Sequence, residues 1–209
     1  MTTIAQTVLD SSMTYADYVR RVEELWQNGH TSTTGFNNGK TMMQYTADNL
    51  GRMNRLNKNI VLAIETIEIL SKITKPIILL DITEGWCGDA SQVCPVVEKV
   101  AHAQPLLSHC VIFRDEHLDI MDSFLTDEGR SIPKIIALDT EGVVLGAWGP
   151  RPKVLQDLVQ SHKKDMLQMS KEEQKVHYFF VRDLVHNWYD SDETKETQRE
   201  LANFLMKCN

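Results

Sequence analysis

No two of the four cysteines stand at Cys-x-x-Cys spacing, and no two of the seven histidines at His-x-x-x-His. The ligand spacings of common zinc sites are therefore missing, and no metal is expected. Four irregularly placed cysteines are also too few for the disulfide framework of a small secreted domain. No run of eighteen apolar residues occurs, so there is no membrane-span signal. Positive charge is in the minority: 22 Lys and Arg against 29 Asp and Glu leave a net charge of −7. That balance argues against nucleic acid or an anionic membrane as a partner. The first thirty residues hold Asp10, Asp17, Glu23 and Glu24 and no apolar signal core, which reads as a cytoplasmic chain. In a reducing compartment each cysteine is then a core residue, a ligand or a reactive thiol.

What is present is ordinary globular composition, 42% hydrophobic and 24% charged over 209 residues, enough for one domain with extensions. Three zones differ in period. Residues 14–28 read as a helix closed by Asn28-Gly29, and a polar loop runs from Gly29 to Lys40. Met43, Ala47, Leu50, Met53, Leu56, Ile60, Ile64 and Ile67 then step by threes and fours. They predict one long helix from about Lys40 to about Leu70, with a break near Asn57 to Asn59. In the middle zone Pro76 to Thr83 is a continuous apolar run, the pattern of a strand buried on both faces. A helix follows over 88–103, a strand over 109–114, and a helix over 117–126. Lys134 to Asp139 and Gly142 to Trp148 form a hairpin, and residues 152–168 a helix. This order predicts an α/β fold with a mixed central sheet flanked by helices. The last zone, 171–209, is helical, with Val176, Phe180, Leu184 and Trp188 as its stripe, a break at Asp190 to Asp192, and a final helix carrying Leu201, Phe204 and Leu205. The expected organisation is an N-terminal helical extension over 1–70, a central α/β domain over 71–168, and a C-terminal helical extension over 169–209 packed on it.

The chemistry gathers at Glu84-Gly85-Trp86-Cys87-Gly88-Asp89-Ala90-Ser91. Cys87 follows a buried strand and a short turn and precedes a helix, so its sulfur faces free N–H groups and the positive end of the helix dipole. Both favour the thiolate, which is the nucleophile. Asp89 sits in the first turn, where it can cap free N–H groups, but its charge opposes the thiolate. Two readings of Cys87 stand, a reactive thiol and a buried small hydrophobe. Cys94 lies seven residues on, roughly 10 Å along a continuous helix, beyond the Cα separation of about 7 Å that a disulfide tolerates. It reads as core, or as a resolving thiol only if Pro95 loosens the helix. Cys110 reads as core and Cys208 as exposed at a frayed terminus. His102, His109 and His117 read as surface histidines, and the acidic stretch from Asp115 to Glu128 as a solvated face.

Over residues 70–165 the sequence resembles the thioredoxin superfamily. Trp86-Cys87-Gly88 resembles the start of its active-site motif. Pro95, eight residues after the cysteine, matches the helix-kinking proline. Asp81, six before it, matches the buried proton acceptor. Ile132-Pro133 matches the segment ending in the cis-proline, and Gly149 the glycine of the loop closing the site. Trp-Cys-Gly-Asp-Ala together with Gly-Arg-Ser-Ile-Pro and Gly-Pro-Arg-Pro is similar to a bacterial thioredoxin-like subfamily with extra helices. The resemblance implies a thioredoxin fold with helices added at both ends. It implies roles for Cys87 as nucleophile, Asp81 as proton shuttle, and Trp86, Ile132, Pro133, Gly149, Arg130 and Arg151 around the substrate. An extended peptide would pair with the edge at Ile132, and a guanidinium from Arg151 or Arg130 would lower the thiol pKa and hold a carboxylate.

Ala90 stands where the second cysteine belongs, so the dithiol cycle cannot run. The peroxiredoxin pattern fails at Leu80 and Glu84, and no Cys-Gly-Phe-Ser of cluster-binding glutaredoxins occurs. The function expected is monothiol exchange at Cys87, resolved by an external thiol or by Cys94, without a cofactor, on a protein or small-molecule thiol or disulfide. The alternatives are a peptide- or protein-binding module without turnover, and an oxidation sensor in which Cys94 traps a sulfenic acid at Cys87.

Overall fold

The computed structural model describes residues 2–32 and 39–209. Of the polar loop expected over Gly29 to Lys40, residues 33–38 lie outside the described residues.

Five strands form one mixed sheet in the order β1-β3-β2-β4-β5. They are β1 (Met13–Thr14), β2 (Ile77–Thr83), β3 (Leu107–Phe113), β4 (Lys134–Leu138) and β5 (Val144–Trp148). β2 lies at the centre, parallel to β3 and antiparallel to β4. That position explains its unbroken apolar run, because both of its faces are covered. Ile77 and Leu79 enter one core cluster, Leu80 and Ile82 the other. The first cluster is filled by α5 (Ala90–Ala103) through Val93, Val97 and Val100, α7 (Lys153–Met166) through Leu155, and α9 (Lys195–Cys208) through Leu201 and Leu205. The second is filled by α2 (Tyr15–Gln27) through Tyr18 and Val22, and α3 (Lys40–Asn59) through Leu50 and Met53. Burial of each such side chain is worth about 1.5–3 kcal/mol. The expected α/β fold, with a mixed sheet and added terminal helices, is the fold observed.

Several local expectations are corrected. The long helix is two, α3 and α4 (Ile64–Leu70). The linker between them is held by Gln198 of α9, whose side chain accepts from Ala63 N–H at 2.9 Å and donates to Val61 C=O at 3.1 Å. Those bonds replace the helical ones lost at the break. The N-terminal segment is not wholly helical: after α1 (Gln6–Ser11), β1 pairs antiparallel with β3 and becomes the sheet edge. The helix expected over 117–126 shrinks to α6 (Leu118–Met121), because the chain reverses at Thr126 to Gly129, with Asp127 and Glu128 at positive φ.

In α8 (Lys171–Asp192) the buried residues are Val185 and Tyr189, while Val176 and Phe180 are exposed. The last break falls at Glu193 and Thr194, both left-handed, rather than at 190–192. Cys208 is buried rather than exposed, because the C-terminus is pinned: Asn209 Oδ1 accepts from Thr74 N–H at 2.7 Å and Lys75 N–H at 3.1 Å. Cys110 is only partly buried.

Candidate functional site

β2 delivers Glu84 to Asp89 as a tight turn at the edge of the core. Cys87 N–H donates to Glu84 C=O at 3.1 Å, and Cys87 C=O accepts from Ser91 N–H at 3.2 Å, so the thiol sits on the opening turn of α5. The residue is 8% exposed, and its thiol donates to Ile132 C=O at 3.2 Å. The N–H groups of Ala90 and Asp89 point at the same sulfur. Burial, seconded by the Asp89 charge, outweighs those amides and Arg151 and pushes the thiol up to about 12. Cys87 is therefore protonated at rest.

The Asp89 side chain does not cap the helix. Its own backbone is already helical, at φ −65° and ψ −39°, whereas a capping residue is extended. Its carboxylate instead accepts from Arg151 Nε at 3.0 Å and from the Tyr189 hydroxyl at 2.9 Å. Asp89 so ties the turn to the 149–152 loop and to α8. Arg151 does favour the thiolate, as expected, but the carboxylate that holds it acts in the opposite sense and more strongly. Arg130 belongs to another pair, bidentate with Asp122 at 2.6 and 2.8 Å, and half-exposed.

The Ile132–Pro133 peptide is cis. Ile132 and Pro133 are both buried, and the Ile132 carbonyl is taken by the Cys87 thiol. Gly149 lies directly behind, at φ +111°, where an added Cβ would stand 2.5 Å from Pro133 O. Only glycine meets both requirements. Trp86 closes the other side, with the Arg114 guanidinium 5.0 Å from its ring centroid.

Asp81 and Cys94 lie behind the site, in the interior. Asp81 is fully buried, with the His109 Nε2 at 3.6 Å, and His109 Nδ1 meets Glu98 at 2.8 Å. His109 is thus a core residue and not the surface histidine expected. Burial would lower its pKa, but the two carboxylates outweigh that and raise it. Cys94 is inside α5, fully buried, and pushed well up by burial and by Asp81. Both Cys87 and Cys94 are free thiols.

Sequence reading missed Glu84, Asn49, Arg52 and His186. Glu84 is fully buried three residues before the thiol; it accepts from the Ser32 hydroxyl and from Asp115 N–H, and burial pushes it up to about 7. Asn49 of α3 donates to Gly85 C=O at 3.0 Å and so fastens α3 over the turn. A polar residue on a buried helical face was the only sequence signal for it. His186 of α8 rests on Gly88, where an added Cβ would lie 3.1 Å from its ring. The result is a cavity of about 510 Å³ whose floor is Trp86, Cys87, Asp89, Ile132 and Arg151 and whose walls come from α3 and α8. Pro133 and Gly149 support that floor from behind. Among the described residues no group of three or more His, Cys, Asp and Glu side chains is placed to hold a metal ion. Among the same residues no helix is long and apolar enough to cross a membrane.

A thioredoxin family model (Thioredoxin_9) matches residues 35–172. The chain belongs to the thioredoxin family. No curated protein matches it. Two solved structures are similar to it. One is a protein of unknown function, PA1234 from Pseudomonas aeruginosa, 18% identical over 100% of both chains, with a TM-score of 0.62. The other is an HIV epitope scaffold, 18% identical over 92% of this chain and 98% of that one, with a TM-score of 0.51. Likeness at that identity concerns the fold.

Proposed function

We propose that the protein carries out thiol–disulfide exchange through one attacking sulfur, Cys87. The observation that carries this reading is convergence on a single sulfur: two helix-opening amides, the Ile132 carbonyl before the cis-proline, and an open cavity of about 510 Å³. Amides aimed at a sulfur stabilise a thiolate in a way a structural cysteine does not need. Ala90 and the buried Cys94 leave no second accessible thiol on the opening turns of α5, so the mixed disulfide at Cys87 is released by an external thiol. The four free cysteines accord with a reducing, cytoplasmic setting.

The raised thiol pKa bears on rate. The protonated sulfur is a slow nucleophile at neutral pH, and exchange accelerates with pH. The same observation favours a second reading, a ligand-binding pocket without turnover, in which the S–H to Ile132 bond is structural. Incubation with hydroxyethyl disulfide and site-resolved mass spectrometry separates them. Exchange gives an adduct at Cys87 that a reducing thiol reverses, retained in Cys94→Ser and lost in Cys87→Ser. A folded protein with no adduct at Cys87 at any pH up to 9 leaves the binding pocket as the function.

A further inference from the structure

The cavity above Cys87 carries charge opposite to that of the whole molecule. Five arginines line it, Arg52, Arg114, Arg130, Arg151 and Arg182, against three aspartates, on a chain of net charge −7. Four of the five are spoken for: Arg114 pairs with Asp115 at 2.7 Å, Arg130 with Asp122, Arg151 with Asp89, and Arg182 with Asp183 at 2.7 Å. Arg52 makes no ion pair among the described residues, and residues 33–38 contain no carboxylate. Its one hydrogen bond goes to a neutral acceptor, Asn49 Oδ1 at 2.8 Å, and Asn49 is itself 1% exposed and anchored on Gly85. The guanidinium is therefore half-buried, oriented by a rigid neighbour, and without a carboxylate in direct contact. Burial pulls its pKa down, outweighing the more distant charges of Asp48 and Asp190, which act in the other direction. A cation kept partly dry and unpaired is costly unless something anionic completes it.

Size and access restrict that anion. Met42 and Tyr45 of α3 and Tyr178 of α8 wall the cavity, and the carbonyl that an extended peptide would use, that of Ile132, is occupied by the thiol. The space suits a small molecule. We propose that the Cys87 cavity selects a low-molecular-weight disulfide bearing a carboxylate, with Arg52 reading the carboxylate through its planar fork and Cys87 receiving the sulfur. The reacting end rests on the exchange reading above, while the anion site at Arg52 stands without it. In the step itself the Cys87 thiolate attacks one sulfur and a new S–S bond forms to Cys87. The old S–S bond breaks with its electron pair on the outer sulfur, and the proton lost by Cys87 passes to solvent. His186, on Gly88 and held neutral by burial and by the Arg52 charge, adds no competing cation beside the sulfur.

Two aromatic disulfides of different charge test the selection on the full chain, each compared between wild type and variant. One is the dianionic 5,5′-dithiobis(2-nitrobenzoate), the other the uncharged 2,2′-dithiodipyridine, with labelling at Cys87 resolved by mass spectrometry. The ratio of their second-order rates is expected to fall about tenfold in Arg52→Met, the size of a lost charge-assisted hydrogen bond. Arg52→Lys is expected to restore part of it, which a merely misfolded variant would not show. A ratio unchanged in Arg52→Met overturns the proposal. A third ligand, the S-methyl ether of the same nitrobenzoate, carries the carboxylate and no exchangeable sulfur. Calorimetric binding that weakens about tenfold in Arg52→Met supports the anion site even if neither disulfide reacts, in which case thiol exchange alone fails. Equal affinity in wild type and Arg52→Met, or no binding to either, overturns the anion site.

Discussion

Replacement of Asp89 by Asn isolates the term that holds Cys87 protonated. The carboxylate is the largest electrostatic opponent of the thiolate after burial itself, and its side chain is only 13% exposed. At an effective dielectric of about 20, a unit charge about 6 Å away is worth about 3 kcal/mol, or about 2 pKa units, and half that where water screens it. Loss of the charge also leaves Arg151 uncompensated, which acts in the same direction. The thiol pKa is therefore expected to fall by about 1 to 2 units, and the thiolate fraction at pH 7 to rise about 10- to 100-fold. A weaker base is also a weaker nucleophile, with a Brønsted slope of about 0.4–0.5, so the rate gain is smaller, about 4- to 12-fold. The assay is the pseudo-first-order alkylation of Cys87 by iodoacetamide at pH 7, with circular dichroism confirming the fold of the variant. A rate unchanged or slower than that of the wild type would refute the charge argument and leave burial as the sole cause.

Other expectations concern the supports of the site. Burial holds Glu84 near pH 7, so the folded state keeps a proton that the unfolded chain releases from about 4.5 upward. Its contribution is present at low pH and lost as pH rises toward 7 and beyond, at most about 3 kcal/mol. Urea unfolding of Glu84→Gln should show a flatter stability slope between those pH values, and an unchanged slope would contradict the assignment. Gly149→Ala places a Cβ against Pro133 O at a φ reserved for glycine, and should cost at least about 1–3 kcal/mol. A loss under about 0.5 kcal/mol would contradict the close approach. His109→Leu strips Asp81 of its cation in a fully buried position. A loss of about 3–5 kcal/mol is expected in the same assay, and near-wild-type stability would contradict the buried pair.

The central domain was legible because its signals are local and covalent in order. The PIILLDIT run, the strand–turn–helix around Cys87, the hairpin residues and the spacing of Pro95, Pro133 and Gly149 each constrain a short stretch of chain. Long-range partners were not legible. Whether Arg151 would face the thiol or its neighbour depended on Tyr189 of α8 reaching Asp89 from 100 residues away. Nothing in the run of α3 distinguished Arg52 from any surface arginine until Asn49 met Gly85. His109 was misjudged because a lone histidine in a strand carries no mark of the two carboxylates waiting on β2 and α5. The stripe of α8 was misread for a similar reason: helical period gives a face, but the neighbours decide which turns of that face are covered.

The central claim is that Cys87 is an attacking thiol, accessible in the folded protein and protonated at rest. The pH profile of its alkylation, from pH 6 to 10, with Cys94 followed as an internal reference, tests this most directly. Labelling of Cys87 that rises about tenfold per pH unit through pH 9 without a plateau, while Cys94 stays unlabelled, is the outcome the account requires. A plateau near neutral pH would contradict the protonated resting state. Labelling of Cys87 only when Cys94 also reacts, on unfolding, would make it a structural thiol and end the exchange reading.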